Sequence, residues 1–116
     1  MLWLAAQPEL LDEPAREEIS KLSNTVAFSA SSIWEISIKR TLGKLTVPSD
    51  LVGLLVERRY APLSVTVEHA LAAGALPLHH SDPFDRMLVA QAQLEGMTLV
   101  TRDRRLAAYD VVVLPA

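Results

Sequence analysis

The sequence predicts an α/β fold built on a parallel sheet, and three observations carry that prediction. Amphipathic stretches of helical period alternate with short apolar runs along the chain. Those runs, TVAFSA and TLVT among them, are uncharged and rich in β-branched residues, as strands covered on both faces must be. Half of the 116 residues are hydrophobic and 22% are charged, which suits buried elements and excludes a disordered chain.

The elements follow in order. PAREEISKL, residues 14–22, reads as a helix, with Pro14 in its first turn, Asp12 or Glu13 serving its N-terminus, and Ala15, Ile19 and Leu22 on one face. TVAFSA, residues 25–30, reads as a strand. Ser31 or Ser32 caps the next helix, SIWEISIKRTLG, with Glu35 three residues beyond Ser32 as in a capping box and Gly43 as the stop. Pro48 and Ser49 open a helix that runs to Arg59. PLSVTV (62–67) is a strand, 68–75 a short helix, 83–96 a long one, and TLVT (98–101) a strand. A short helix near 104–109 leads into a last strand, VVVL, at 111–114. No internal repeat interrupts this order, and the length fits one domain over residues 1–116.

Composition narrows the function. Cysteine is absent, so disulfides and thiolate–metal sites are excluded, and a reducing cytoplasmic setting is expected. Neither a membrane span nor a signal peptide is supported by the apolar runs or by the opening MLWLAAQPEL. The net charge of −3 is not that of a protein that coats nucleic acid, although a local basic patch is compatible with it.

The acids are more informative. Glu35 follows strand TVAFSA, Asp85 lies in the first turn of the helix opened by Asp82 and Pro83, and Asp103 follows TLVT directly. All three are thereby expected at one sheet edge, the edge where open α/β sheets bind ligands. Carboxylates gathered there repel one another unless a divalent cation neutralises them, and hard oxygen donors favour Mg²⁺ or Mn²⁺ over zinc. Each residue also has a plainer reading. Acids at helix N-termini stabilise the backbone dipoles by about 0.3 to 1 kcal/mol. Asp82 before Pro83 reads as an N-cap, and Asp103 can cap the helix after TLVT. Lys39 pairs with Glu35 at i+4. Trp34 and Phe84 read as core residues, and the adjacent His79 and His80 lack the spacing of a zinc site.

The whole pattern resembles a known family. SASSIWEISIKRTLGKL, LPLHHSDPFDRMLVAQAQLEGMTLVTRD and the closing Tyr109-Asp110-Val111 are similar to the PIN-domain ribonucleases, specifically the VapC-type toxins of toxin–antitoxin pairs. The resemblance covers essentially the whole chain. It implies a three-layer α/β/α fold with strand order 3-2-1-4-5, a Mg²⁺- or Mn²⁺-dependent endoribonuclease acting on RNA, a cognate antitoxin partner and a homodimer. It also implies that Glu35, Asp85 and Asp103 are catalytic metal ligands and that Asp82 is a further acid of the site. Lys39, Arg86 and His80 become candidates for phosphate or substrate contacts.

Two departures qualify the match. The family begins with a strand of the type LLLDTHxLLWLL, whose Asp is the first ligand, whereas this chain opens at MLWLAA. The resemblance thus implies that the central strand is largely missing together with its acid, so that TVAFSA and TLVT lose the neighbour between them. A misassigned start site accounts for this, and a shortened, degenerate toxin is the alternative. Ser81 stands where relatives commonly carry Arg. Two functions remain open: a metal-dependent ribonuclease, and an impaired PIN-like module that binds antitoxin or RNA without cleaving. A phosphoacceptor domain is disfavoured because Asp103 comes too late and no later strand-end Lys follows it.

Overall fold

The computed structural model describes residues 2–10, 25–79 and 81–115. The helix expected at 14–22 and the candidate contact His80 lie outside them. Five strands form one sheet: β1 (Leu2–Ala5), β2 (Thr25–Ser29), β3 (Ala61–Leu63), β4 (Thr98–Thr101) and β5 (Val113–Pro115). Their spatial order is β3-β2-β1-β4-β5, and every neighbouring pair is parallel. Four helices are described: α1 (Ala30–Thr41), α2 (Leu51–Glu57), α3 (Val67–Ala75) and α4 (Pro83–Glu95), with 3-10 turns at Pro8–Leu10 and Arg104–Ala108.

The central strand is present, which corrects the expectation that it is largely missing. Leu2–Ala5 sets Leu4 opposite Ala27 on one side and Leu99 on the other. LWLA can do this because it carries no charge and because its side chains alternate between the two faces. Trp3 and Ala5 join Val26, Phe28, Leu55, Tyr60 and Val100 in one cluster, under α2. Leu4 and Ala6 join Ala27, Leu88, Val89, Ala92 and Leu99 in another, under α4. The sheet is thus covered on both faces, the three-layer α/β/α arrangement. Both edge strands contain a proline, Pro62 and Pro115, which limits further pairing there.

Several boundaries move for local reasons. The cap of α1 is Ser29, whose Oγ accepts from the backbone N–H of Ser31 at 3.0 Å, not Ser31 or Ser32. Glu35 therefore lies in the second turn and is not part of a capping box. The strand expected over 62–67 ends at Leu63, because Thr66 and His69 form a capping box that starts α3. Helix α2 begins at Leu51, capped by Asp50. Strand β5 starts at Val113 because Val111 is held in a turn by its N–H bond to the Tyr109 carbonyl, 2.8 Å. By contrast, α4 has Asp82 as N-cap, Pro83 at its start and Gly96 as a left-handed C-cap at φ 64°.

Helices α3 and α4 are locked by a buried polar group. His69 is 2% exposed, and its Nδ1 accepts the backbone N–H of Thr66 at 3.0 Å. The ring proton therefore sits on Nε2 and faces Glu95 Oε1 at 2.9 Å. Among the described residues no helix is long and apolar enough to cross a membrane.

Candidate active site at the carboxyl edge of the sheet

Side chains just beyond β1, at the end of β4 and at the start of α1 hydrogen-bond across this edge of the sheet. Gln7, just beyond β1, accepts the backbone N–H of Arg102 on Oε1 at 3.2 Å and donates from its amide to Thr101 Oγ1 at 3.4 Å. Thr101 Oγ1 also accepts the N–H of Asp103 at 3.1 Å. Ser32 Oγ donates to the carbonyl of Ala6 at 3.4 Å, tying α1 to the same point. Ser29 and Thr101 are fully buried, so the floor of this edge is small, polar and rigid.

The expected acids stand on this edge. Glu35 is partly buried on α1, and its Oε2 lies 3.5 Å from Lys39 Nζ, the helical pair its spacing suggested. Asp82 Oδ1 accepts the N–H groups of Phe84 and Asp85 at 2.8 and 3.2 Å, as the cap reading requires. Asp85 is in the first turn of α4. Asp103 caps the following 3-10 turn and is gripped by Arg105, Nε to Oδ1 at 2.9 Å and Nη2 to Oδ2 at 2.7 Å. The charges of Asp85 and Asp82 also act on Arg105 and hold it protonated after those bonds. Among the described residues, however, no three of these side chains come close enough together to hold one ion. Glu35 and Asp103 are each paired with a cation of the chain itself.

Two residues depart from their expected roles. Trp34 is 64% exposed and is not a core residue. It meets Phe84 edge to face at 5.3 Å, which ties the helix bearing Glu35 to the helix bearing Asp85. Arg86, a candidate phosphate contact, instead spends its guanidinium on backbone carbonyls at the C-terminus of α3. It donates to Ala73 and Leu76 from Nη2 and to Pro77 from Nη1, each at 3.0 Å. Unsatisfied carbonyls and the negative end of the helix dipole attract a cation there.

Glu9 was not foreseen. It sits in the 3-10 turn after β1, with one carboxylate oxygen, Oε2, buried and without a hydrogen-bond donor. Burial raises its affinity for a proton; a hydrogen bond from the backbone of Glu9 opposes this, as does the charge of Lys39, while the charge of Glu35 adds to it and that of Arg102 again opposes it. The signal was present in QPE, one residue beyond LWLA, but it is legible only once LWLA is read as a strand. Glu9, Glu35, Asp85 and Asp103 each offer hard oxygen donors, but among the described residues they are not gathered closely enough to hold one ion.

Comparison with known proteins agrees with this architecture. Residues 1–112 match the PIN domain family. The chain is 28% identical over 110 residues to Ribonuclease VapC22 of Mycobacterium tuberculosis, covering 92% of this chain and 84% of that one. Its fold is similar to VapBC2 from Rickettsia felis bound to a promoter DNA fragment, with a TM-score of 0.75, 14% identity, and 99% and 98% of the two chains covered. It is also similar to DNA-bound VapBC from Salmonella typhimurium, with a TM-score of 0.70, 16% identity, and 99% and 98% covered. A toxin–antitoxin complex from Klebsiella pneumoniae gives 0.68 at 16% identity, over 97% and 95% of the chains. With a family match over nearly its whole length and the 3-2-1-4-5 parallel sheet to accompany it, this chain belongs to the PIN-domain family.

Proposed function

We propose that the chain is the toxin of a type II toxin–antitoxin system and cleaves RNA as a Mg²⁺- or Mn²⁺-dependent endoribonuclease. The observation that supports this is the PIN-family sheet, with Glu35 on the helix after β2, Asp103 just beyond β4 and Asp85 in the first turn of α4. Similarity to a named ribonuclease and to toxin–antitoxin complexes supports the activity class and a cognate antitoxin, and a homodimer is part of the same proposal.

Glu35, Asp85 and Asp103 would hold the cation, with Asp82 committed on Oδ1 to its cap. When bound, the ion lowers the pKa of a coordinated water and neutralises charge on the scissile phosphodiester. The protein's own part is positional. The Trp34–Phe84 contact fixes the spacing of α1 and α4, and Gln7 and Thr101 fix the turn that carries Asp103. Lys39, exposed beside Glu35, is placed to meet phosphate, and His80 remains a candidate contact. Arg86 serves the site indirectly, by anchoring the start of α4 to α3.

A second reading is favoured by one observation: Glu35 and Asp103 already have cationic partners in Lys39 and Arg105. On that reading the chain binds antitoxin or RNA without cleaving. Incubating purified protein with RNA and Mn²⁺ separates the two. Cleavage that stops with excess chelator and with Asp85→Asn is the expected result. RNA retention in a gel shift with no cleavage establishes the second reading, and cleavage untouched by either treatment removes the metal mechanism.

A further inference from the structure

Neither Trp34 nor Phe84 has an aromatic neighbour in the sequence, yet the fold sets their rings edge to face, with centroids 5.3 Å apart and planes at 68°. Each stands one residue from an acid of the proposed reaction, Glu35 on α1 and Asp85 on α4. Phe84 is partly buried and Trp34 is 64% exposed, so a phenyl ring braces an indole that is left largely open to solvent. Among the described residues Trp34 is the one exposed tryptophan, phenylalanine or tyrosine. Beyond it on the same helix and in the turn that follows, residues 37–44 carry the exposed cations Lys39, Arg40 and Lys44 and no acid, in a chain of net charge −3.

We propose that Trp34 is a platform on which an unpaired base of the RNA stacks, beside the acids of the edge. This rests on the reading of the chain as a ribonuclease and names a residue that positions its substrate. An unpaired base is held through its π face, and the ring that receives it gains affinity when its plane is already fixed, as the contact with Phe84 fixes that of Trp34. The cations of 37–44 supply the other half of single-strand recognition, charge for the phosphates. A partner helix would need only apolar surface, which the exposed Ile38 and Leu42 further along already offer. A braced aromatic ring followed by cations is what a strand of bases and phosphates requires.

The test is the binding of a short, fluorescein-labelled single-stranded RNA of mixed sequence to the full chain, read by anisotropy in excess chelator so that the RNA stays intact. Trp34→Phe, which keeps a π face, should bind within about threefold of wild type. Trp34→Leu, which keeps only apolar bulk, should bind about fivefold or more weakly, the loss of one base–aromatic stack. A strand of the same length built from abasic units should bind wild type and Trp34→Leu alike. In wild type, unlabelled RNA should also quench the tryptophan emission and the abasic strand should not, a readout that needs no variant to fold. Trp3, the other tryptophan, is only 8% exposed and does not meet the strand. If Trp34→Leu binds RNA as wild type does and no quenching is seen, Trp34 is no platform and its face is left to a protein partner. Cleavage of RNA by wild type in Mn²⁺ then leaves the ribonuclease reading standing without it. If wild type neither binds nor cleaves RNA, both are overturned.

Discussion

Arg105 clasps Asp103 with both Nε and Nη2, at 2.9 and 2.7 Å, and so places a positive charge against one of the acids proposed to hold a cation. The arginine side chain is 75% exposed, so solvent screens the pair and the clasp can open. Arg105→Gln should therefore strengthen Mn²⁺ binding by a few-fold. A titration in which the variant binds more weakly than wild type would show that Arg105 orders Asp103 for the ion instead of competing with it.

Arg86 should prove a structural residue. Three of its donors meet carbonyls of Ala73, Leu76 and Pro77, and no lysine can span that set with one ammonium group. Hydrogen bonds to charged groups contribute about 1.5 to 3 kcal/mol each, so Arg86→Lys should cost about 3 kcal/mol or more. Urea denaturation checks this, and an unchanged midpoint would return Arg86 to the list of substrate contacts.

Glu9 sets a pH dependence whose sign is fixed. Its folded-state pKa is raised above 4.5, chiefly by burial, so the folded chain holds the proton more tightly than the unfolded one. The stabilising contribution is fully present below 4.5 and is lost as pH rises through the folded value. Without metal, Glu9→Gln should melt higher than wild type at neutral pH, and the gap should close as the pH falls below 4.5. A gap that is constant with pH would mean that Glu9 does not titrate differently in the two states.

Gly53 should behave unlike an ordinary helix glycine. A methyl group there would collide with the Asp50 carboxylate, which caps α2 by accepting the Gly53 N–H at 3.2 Å. Gly to Ala in a helix interior normally gains about 1 kcal/mol, and losing an N-cap costs about 1. Gly53→Ala should thus be near neutral in wild type and stabilising by about 1 kcal/mol in an Asp50→Ala background. Equal effects in both backgrounds, measured by chemical denaturation, would uncouple the two residues.

Much of the fold was legible in the sequence because it is written in uncharged runs and end signals. TLVT forms β4 with the expected bounds, and the Asp82–Pro83 start and Gly96 stop of α4 are local chemistry that tertiary contacts do not override. The strand LWLA was missed because four residues have no period of their own and the family resemblance implied that the central strand is largely missing. Thr66 was mistaken for a strand residue because its β-branched neighbours hide a capping box made with a histidine. The expected acids were legible as positions on one edge, since strand–helix order dictates that. Their cationic partners were legible only for Lys39, at helical spacing. Arg105, Arg86 and Glu9 depend on how loops turn in space, which no spacing rule records.

The pairing of Leu4 with Leu99 joins two strands that lie far apart in the sequence. Such a contact is slow to form, so β1 cannot gain its β4 neighbour until synthesis has passed Thr101. During synthesis LWLA waits with its strand edge toward β4 open, and the apolar faces meant for α4 remain unshielded. A protein of this topology should be slow to mature on the ribosome and most vulnerable to self-association before α4 and β4 have been made. That timing leaves a window in which a co-translated binding protein could shelter the nascent chain before its sheet is complete.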